Sequence, residues 1–282
     1  MPKQNNRKIA LVIGIGGVKC ASSLGIYRVL QQEGIQIDMV VGTCAGSIYA
    51  AGISMGADAD TLIHFNKKLW TAEITEKKNW KGFLQSLSPF IFGFNEQFGL
   101  RDDRLIMQRL KAFFKDKTFQ DTSIPLYIGA TDFHSGERII LTEGPMIDAI
   151  RGSIAIPFVF SPWKVGNRVL ADGFLSDPFP VSVAFENKAN IILAVGFEVP
   201  YVRRVTSALK FGSQINNVLI NNLFHKTFDH YVTSNHAKII RIHPKFEERI
   251  GLFETDKLDL IIQKGEEETL KLLPTIRKAY EQ

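Results

Sequence analysis

The fold is decided by a stretch near the start of the chain, residues 8–56, which reads KIALVIGIGGVKCASSLGIYRVLQQEGIQIDMVVGTCAGSIYAAGISMG. The apolar, β-branched runs Lys8–Ile15 and Ile37–Val41 predict buried strands. The segments Ala21–Gln32 and Ala45–Met55 have helical patterns and end at glycines, as helices often do. Strand, helix, strand and helix in this order predict a parallel sheet with helices on its faces. We therefore expect an α/β fold with a mostly parallel central sheet.

The rest of the chain continues this mixture of elements. The pattern predicts mostly helix over Asp58–Lys117, interrupted by Trp80–Phe98. It predicts strands at Leu126–Thr131, Arg138–Leu141, Arg168–Leu170, Asn190–Val195 and Lys238–His243, and helices at Met146–Ser153, over Arg203–Phe228 and after Gly265. No repeat, low-complexity run or linker rich in Pro, Gly and Ser interrupts it. We expect a single domain over residues 1–282, with the core motifs in 8–200 and a helix–strand–helix segment, 201–282, packed on it.

The composition excludes several classes of protein. Of 282 residues, 45% are hydrophobic and 22% are charged, which is close to the average for globular proteins and unlike disordered or collagenous chains. The two cysteines, Cys20 and Cys44, are too few for a disulfide framework and favour a reducing compartment. We therefore expect a cytoplasmic protein, with membrane contact that is at most peripheral.

Two apolar stretches resemble membrane segments. Met1–Cys20 has basic residues, an apolar run and then a cysteine, as in a lipoprotein leader, but Lys19 stands where a cleavage site needs a small residue. Met39–Ala57 contains no charged residue, but glycine, threonine, cysteine and serine make its first half weakly hydrophobic. Buried strands that run into tight turns explain both stretches better than a leader or a membrane span.

The first candidate for chemistry is the loop Gly14–Lys19, between a predicted strand and a helix. It comes close to the G-x-G-x-x-G fingerprint of a dinucleotide site, and Asp38 lies near the position of a ribose-binding acid. Lys19 occupies the position of the third glycine, which argues against that interpretation. Backbone N–H groups in such a turn bind anions and would equally hold the oxyanion of an acyl-transfer intermediate.

A second loop and a carboxylate complete the set. Gly42-Thr43-Cys44-Ala45-Gly46 has the layout of a nucleophile elbow, in which Gly42 and Gly46 allow a sharp turn and Cys44 projects above a helix N-terminus. Ala171-Asp172-Gly173 places a carboxylate directly after a predicted strand. Asp-Gly alone is a turn signal. Together, the three elements supply an anion-binding loop, a presented nucleophile and a distant acid or base.

Five segments in this order resemble the bacterial patatin-like phospholipases, a family of lipid acyl hydrolases that use a Ser–Asp dyad. The matching segments are the oxyanion loop Gly16-Gly17-Val18-Lys19, the elbow Gly42-Thr43-Cys44-Ala45-Gly46-Ser47, the hairpin Ala130-Thr131-Asp132 with Ser135-Gly136-Glu137, the segment Arg151-Gly152-Ser153-Ile154-Ala155-Ile156-Pro157, and the motif Asp172-Gly173. They span most of the sequence, and the combination is far more specific than any one motif.

The resemblance implies a three-layer α/β/α patatin-like fold and hydrolysis of carboxylic esters in phospholipids or lysophospholipids through an acyl-enzyme. It implies that Cys44 is the nucleophile and that Asp172 is its base. The oxyanion hole would be formed by Gly16, Gly17, Val18 and Lys19. The partner would be a lipid or another acyl ester, and no cofactor or metal is needed.

Three positions depart from the family pattern: Cys44 replaces the nucleophilic serine, Cys20 replaces a glycine, and Phe174 replaces the second glycine often seen after the Asp-Gly motif. A thiol at a helix N-terminus is a competent nucleophile, but a nearby carboxylate raises its pKa and the larger sulfur changes the geometry. Two hypotheses therefore stay open, a hydrolase with a Cys–Asp pair and a catalytically silent relative that binds acyl lipid or a partner. A nucleotide-binding regulator is a third, disfavoured by Lys19. Cys20 is expected to be inert packing, although a redox pair with Cys44 is within geometric reach.

Other stretches also allow two interpretations. The aromatic-rich segment Trp80–Phe98 either forms a lid or acyl pocket or is ordinary core, and we favour core because aromatic residues are commonly buried. Pro200–Ile250 contains eight Lys or Arg and three Asp or Glu, which either face anionic lipid headgroups or form a solvated surface. Nothing resembles a nucleic-acid module. No histidine lies in a triad-like motif, and surface positions are expected for His225, His230, His236 and His243.

Overall fold

The computed structural model describes residues 7–71, 73–74, 79–93, 95–233 and 237–281. The strands are β1 (Ile9–Ile13), β2 (Met39–Thr43), β3 (Leu126–Asp132), β4 (Arg138–Leu141), β5 (Trp163–Val165), β6 (Arg168–Asp172), β7 (Ile191–Val195) and β8 (Lys238–Arg241). The α-helices are α1 (Ser22–Gln32), α2 (Ala45–Ser54), α3 (Ala59–Leu69), α4 (Trp80–Leu87), α5 (Pro89–Phe92), α6 (Arg104–Phe114), α7 (Met146–Ser153), α8 (Val181–Glu186), α9 (Ala208–Thr233) and α10 (Leu258–Glu281). Short 3₁₀ turns lie at Gly17–Ala21, Phe119–Asp121, Gly173–Leu175 and Thr255–Lys257.

The strands form a single mixed sheet within the described residues, in the order β5-β6-β3-β2-β1-β7-β8, with β4 also paired to β3. The five neighbours β3, β2, β1, β7 and β8 are parallel, and the pairs of β3 with β4, β3 with β6 and β5 with β6 are antiparallel. Ile13 is in register with both Gly42 and Val195. The loops that follow β1, β2 and β7 therefore leave the sheet at the same level and meet at one edge.

The central strands are covered on both faces. Every residue of β1, β2 and β7 is buried. Strands that are buried on both sides are typical of parallel sheets between layers of helices, since crossover helices cover the faces. The predicted α/β fold with a mostly parallel central sheet flanked by helices is confirmed.

The closing helix begins earlier than the sequence indicates. We predicted a start after Gly265, but α10 begins at Leu258 and Gly265 lies inside it. A Cβ on Gly265 would lie 2.1 Å from the Ser22 carbonyl oxygen, and one on Gly25 would lie 2.1 Å from the Ile262 carbonyl oxygen. Both glycines therefore serve the close packing of α1 against α10, and the prediction mistook a packing glycine for a helix boundary.

Other boundaries vary in accuracy. The predicted strand Arg138–Leu141 and helix Met146–Ser153 are confirmed residue for residue. The helix predicted over Arg203–Phe228 instead spans Ala208–Thr233, and β8 ends at Arg241 rather than at His243. Two short elements, β5 and α8, were not predicted. Within the described residues, no helix is both long and apolar enough to cross a membrane.

The aromatic-rich segment is largely on the surface. Trp80 is 66% exposed, Phe90 is fully exposed and Ile91 is 76% exposed. The interpretation of Trp80–Phe98 as ordinary core is therefore wrong for these side chains, while Phe94 lies outside the described residues. The prediction rests on residue type alone. Residue type does not indicate whether another element packs over a short helix such as α5.

Candidate active site

The elbow places Cys44 between the end of β2 and the start of α2. Its backbone adopts φ 52° and ψ −135°, in a region that non-glycine residues rarely occupy. A Cβ on Gly46 would lie 2.2 Å from the Ile13 carbonyl oxygen, so only glycine lets the first turn of α2 pack against the end of β1. Such strain is typical of functional sites. The predicted sharp turn is therefore present, with Cys44 at its apex.

Two serines hold the elbow. The Ser153 hydroxyl accepts a hydrogen bond from the Cys44 N–H at 2.9 Å and donates to the Gly129 carbonyl at 2.7 Å. The Ser47 hydroxyl donates to the Cys44 carbonyl at 2.7 Å. Because both backbone polar groups of Cys44 are engaged by buried hydroxyls, its strained conformation is fixed from two sides.

Asp172 lies at the end of β6 and is fully buried. Its N–H donates to the Ala155 carbonyl at 3.1 Å, and its Oδ1 accepts from the Phe174 N–H at 3.1 Å. Its Oδ2 has no hydrogen-bond partner of good geometry among the described residues. A buried carboxylate oxygen without a partner is costly, which makes it an effective proton acceptor.

Cys44 and Asp172, predicted from distant motifs, are brought together. Burial raises the pKa of the Cys44 thiol well above its ordinary value, and the negative charge of the nearby Asp172 carboxylate raises it further. Burial also raises the pKa of Asp172 to about 7, against the lowering effect of the Phe174 N–H. Near neutral pH the pair therefore consists of a protonated thiol beside a carboxyl group that is partly ionised.

Cys44 opens into an apolar cavity of about 170 Å³. Beside Cys44 the walls are formed by Ile15, Gly16, Gly17, Ala45, Trp70, Ile106, Ile154, Ile156, Pro157, Phe158, Val159, Phe160, Phe174, Val199, Ser213, Asn216, Asn217, Ile220, Leu252 and Phe253. The lining is overwhelmingly hydrophobic, which suits a hydrocarbon chain better than a sugar or a nucleotide.

The N–H groups of the glycine loop differ in availability. The Val18 N–H donates to the Leu252 carbonyl at 2.9 Å, and the Lys19 N–H donates to the Gly16 carbonyl at 3.2 Å. In the part of the chain that the structure describes, no hydrogen bond engages the N–H groups of Gly16 and Gly17. These two glycines also line the cavity beside Cys44. They are the donors of the loop that an oxyanion in the cavity could use.

Other predicted residues lie apart from the cavity. The Lys19 ammonium turns away and donates to the Glu198 carbonyl at 3.0 Å. Both cysteines are free, and the Cys20 thiol donates to the Gly14 carbonyl at 3.3 Å, with a pKa raised to about 12 by burial. Asp38 accepts from the Ile9 N–H at 2.7 Å, so the acid that suggested a ribose site joins β1 to the start of β2.

Sequence reasoning missed the wall contributed by the last third of the chain. Leu252 and Phe253 follow β8 and reach the cavity, and Leu252 also fixes the glycine loop through Val18. Phe158 also lines the cavity and has φ 66°, a backbone region that non-glycine residues rarely occupy. No local pattern marks these positions, because they reach the cavity from segments more than 100 residues away from Cys44 in the chain. Within the described residues, no group of three His, Cys, Asp or Glu side chains is arranged to hold a metal ion.

Comparison with known proteins shows the family of the chain. Residues 11–185 match the family model described as patatin-like phospholipase, a span that includes the glycine loop, the elbow and Asp172. The chain belongs to the patatin-like phospholipase family. An uncharacterized NTE family protein of Mycobacterium bovis is 28% identical over 188 residues, which cover 67% of this chain and 48% of that protein.

Other relatives are more distant or much longer. A lysophospholipase of Mycosarcoma maydis is 27% identical over 188 residues, covering 66% of this chain but 9% of that protein. Among solved structures, VipD from Legionella pneumophila superposes with a TM-score of 0.50 at 12% identity, covering 95% of this chain and 67% of that one, a likeness of fold alone. The matched region spans about half the length of the Mycobacterium bovis relative and far less of the eukaryotic one.

Proposed function

We propose that the protein is a lipid acyl hydrolase that cleaves carboxylic esters of phospholipids or lysophospholipids through an acyl-enzyme on Cys44. Membership of the patatin-like phospholipase family supports a lipid hydrolase. The observation that carries the finer proposal is the juxtaposition of Cys44, at a strained elbow that opens into an apolar cavity, with the unpartnered Oδ2 of Asp172.

In the first half of the reaction, Asp172 takes the thiol proton while Sγ of Cys44 attacks the ester carbonyl carbon. The N–H groups of Gly16 and Gly17 hold the oxyanion of the tetrahedral intermediate, because those of Val18 and Lys19 are already engaged. Collapse of the intermediate breaks the bond to the alcohol oxygen. Asp172 returns the proton to that oxygen, leaving the acyl group as a thioester on Cys44.

In the second half, Asp172 removes a proton from water while the water oxygen attacks the thioester carbonyl. The intermediate collapses with release of the Cys44 sulfur, which regains its proton from Asp172. The fatty acid leaves, and the enzyme returns to its starting state. The hydrocarbon chain would occupy the apolar cavity, where burial of each methylene group contributes about 0.8 kcal/mol.

We also propose peripheral contact with an anionic membrane surface. The loop Gly99–Arg101 joins α4 to the cavity wall. The N–H of Asn79, the residue before α4, donates to the Leu100 carbonyl, and the Leu100 N–H donates to the carbonyl of Phe158, which lines the cavity. Helix α9 supplies another part of that wall. Exposed apolar side chains on α4, on the adjoining α5 and on α9 include Trp80, Phe83, Phe90, Ile91, Phe211, Ile215 and Leu219. An apolar surface of this kind around a cavity suits the headgroup–acyl boundary of a bilayer.

Basic residues accompany this apolar surface. Arg203, Arg204 and Lys210 are exposed at and just before the start of α9. Cations near a membrane surface are each worth about 1 kcal/mol of attraction to anionic lipid. Free thiols at Cys20 and Cys44 suit a reducing compartment, so we propose that the protein works on a cytoplasmic membrane face.

A second candidate is a catalytically silent protein that binds acyl lipid. It is favoured by the raised pKa of the Cys44 thiol, because a thiol is a weak nucleophile until it is deprotonated. The apolar cavity would then be a binding site without turnover. The two candidates share every contact described above and differ only in whether Asp172 can take the thiol proton.

The experiment that separates them measures fatty acid release from a lysophospholipid and hydrolysis of a short-chain p-nitrophenyl ester. Native protein, Cys44→Ala and Cys44→Ser are compared. Activity of the native protein that falls by at least a hundredfold in Cys44→Ala supports the thiol enzyme. Activity in Cys44→Ser alone supports a silent native site in a competent fold. Equal activity of native protein and Cys44→Ala would refute the role of Cys44.

A further inference from the structure

A second cavity, of about 670 Å³, lies beside Lys19, the last residue of the glycine loop. Its walls come from Lys19 after β1, from Phe197–Tyr201 after β7 and from His243–Ile250 after β8. These three strands are parallel neighbours, so the cavity lies outside their carboxyl ends. Open parallel sheets bind ligands at this edge. Val199 borders both cavities, which are otherwise lined by different residues.

Basic side chains predominate among the polar groups of this second cavity. The basic ones are Lys19, His243, Lys245 and Arg249. Two carboxylates, Glu198 and Glu248, also line it, but Glu198 lies 3.2 Å from His225 and Glu248 pairs with Lys257 at 2.9 Å. The two lysines and the arginine outnumber the two carboxylates, so the cavity keeps an excess of positive charge.

Lys19 is the innermost of these cations. Its ammonium donates to the Glu198 carbonyl at 3.0 Å and lies 5.1 Å from the centre of the Phe197 ring. Among the described residues, no carboxylate lies within ion-pair distance of it. An ammonium group has three N–H donors, so two remain for a ligand. The Arg249 guanidinium donates to the Tyr201 carbonyl and likewise has further donors.

Burial and neighbouring positive charge disfavour the cationic forms of Lys19 and His243. Burial lowers the pKa of Lys19, and the charge of Arg249 lowers it further, against the raising effects of Cys20 and Glu198. Burial lowers the pKa of His243, which Arg241 and Lys19 also lower, while the Gly196 backbone and Glu198 raise it. An anion between these groups would relieve the repulsion and satisfy the remaining donors.

The second cavity is mechanically joined to the glycine loop. Lys19 directly follows Val18, and the Val18 N–H donates to Leu252, three residues after Arg249. A Cβ on Gly17 would lie 2.5 Å from the Leu252 carbonyl oxygen, so the two segments are in tight contact. A ligand held by both Lys19 and Arg249 would clamp these segments together and fix the N–H groups of Gly16 and Gly17.

We propose that the second cavity binds a phosphate group between Lys19, Lys245, Arg249 and His243, and that its occupancy stimulates hydrolysis at Cys44 by fixing the glycine loop. An anionic phosphate group suits the site because two or more of its oxygens can accept from an ammonium and a guanidinium at once. The stimulation rests on the proposed function, whereas the binding does not. The phosphate belongs either to a small water-soluble molecule or to a lipid headgroup.

Binding is tested by calorimetric titration of the full chain with inorganic phosphate, at constant ionic strength set by chloride. The variants are Lys19→Met and Arg249→Met, with Lys111→Met as a matched control at an exposed site on α6. We expect saturable binding to native protein and Lys111→Met, weakened about tenfold or more in the other two variants. Equal heats for all four proteins would overturn the proposal. It would also be overturned if the native protein bound neither inorganic phosphate nor the vesicles described next.

A second arm distinguishes the two sources of phosphate. Native protein and Arg249→Met are mixed with phosphatidylglycerol vesicles and with phosphatidylcholine vesicles. Binding to phosphatidylglycerol that depends on Arg249, without binding of inorganic phosphate, supports a lipid headgroup as the source. Binding of inorganic phosphate that depends on Arg249 supports a soluble source. Vesicle binding that is unchanged in Arg249→Met, together with no phosphate binding, overturns the site.

The stimulation is tested with the short-chain ester. We expect the phosphate source that binds to raise kcat several-fold in the native protein, and Arg249→Met to keep the unstimulated rate without responding. Binding without any change in kcat would refute the coupling to the glycine loop. If phosphate binds through Arg249 but no protein hydrolyses any ester, the anion site stands and the proposed function fails. If native protein hydrolyses the ester but no phosphate source binds, the proposed function stands and the anion site fails.

Discussion

The Ser153 hydroxyl accepts the Cys44 N–H at 2.9 Å across 109 residues of chain. The same hydroxyl donates to the Gly129 carbonyl on β3 at 2.7 Å, so it ties the elbow to the centre of the sheet through the end of α7. The hydrogen bond satisfies a buried donor at a residue with positive φ. Ser153 is therefore a positioning residue for Cys44.

Replacement of Ser153 by alanine is expected to damage both stability and activity. It leaves the buried Cys44 N–H without its acceptor, a loss of about 1–3 kcal/mol in the free energy of unfolding. Ser54→Ala is the matched control, because the Ser54 hydroxyl is equally buried on α2 but donates only to Ala51. Urea denaturation and kcat are measured for both variants. An unchanged kcat in Ser153→Ala would contradict a positioning role.

Hydrolysis is expected to depend on the ionisation of Asp172. As a base, Asp172 must be deprotonated, and burial raises its pKa to about 7. The kcat for lysophospholipid should therefore rise with pH, about tenfold per unit below 7, and level off above it. Asp172→Asn should lower kcat by roughly a hundredfold or more and abolish this pH dependence. A native profile that is flat from pH 5 to 8 would rule out Asp172 as the base.

The raised pKa of Asp172 also predicts how stability changes with pH. The folded protein holds the Asp172 proton up to about pH 7, whereas the unfolded chain releases it near the ordinary value of about 3.9. The contribution of this group is therefore fully present below pH 4 and is lost as the pH rises to 7.

Asp172→Asn cannot ionise. Its free energy of unfolding should therefore rise relative to that of the native protein as the pH increases from 4 to 8, by roughly 2–4 kcal/mol in total. Urea denaturation of both proteins at pH 5 and pH 8 measures this difference, and all other titrating groups cancel in the comparison. A constant difference between the two pH values would show that the folded-state pKa of Asp172 is not raised.

Contact with membranes is expected to depend on the exposed apolar side chains of α5. The double substitution Phe90→Ser with Ile91→Ser should lower hydrolysis in anionic vesicles about a hundredfold or more, because it removes two side chains that each contribute about 1.5–3 kcal/mol on burial. Hydrolysis of a soluble short-chain ester should not change. Leu270→Ser, at an exposed position of α10, is the control. Equal losses on both substrates would indicate a folding defect instead of lost membrane contact.

Much of the fold could be predicted because it is encoded locally. The β-branched run around Ile9–Ile13 and the small-residue pattern of α2 give the strand and helix that flank each loop. The resemblance to the family, which rests on five motifs in a fixed chain order, is what pairs Cys44 with Asp172 at the sequence level. These features depend on residue type and spacing, which a sequence displays directly.

The features that were missed depend on tertiary contacts. Gly265 is typical of a helix boundary in sequence, but it lies inside α10 because α1 approaches it closely. Phe90 is an ordinary core residue by type, but it is fully exposed and none of the described elements covers it. The hydrogen bond from the Val18 N–H to the Leu252 carbonyl joins segments 234 residues apart, and it removes Val18 from the set of free oxyanion donors. Such contacts follow from the assembled fold and leave no local pattern.

The most direct test of the account is the detection of an acyl thioester on Cys44. Native protein and Cys44→Ala are mixed with a lysophospholipid, quenched in acid before steady state and examined by intact and peptide mass spectrometry. We predict a fatty acyl adduct on the Cys44 peptide of the native protein, released by hydroxylamine and missing from Cys44→Ala. Fatty acid release by Cys44→Ala at the native rate, with no adduct on the native Cys44 peptide, would contradict the central claim.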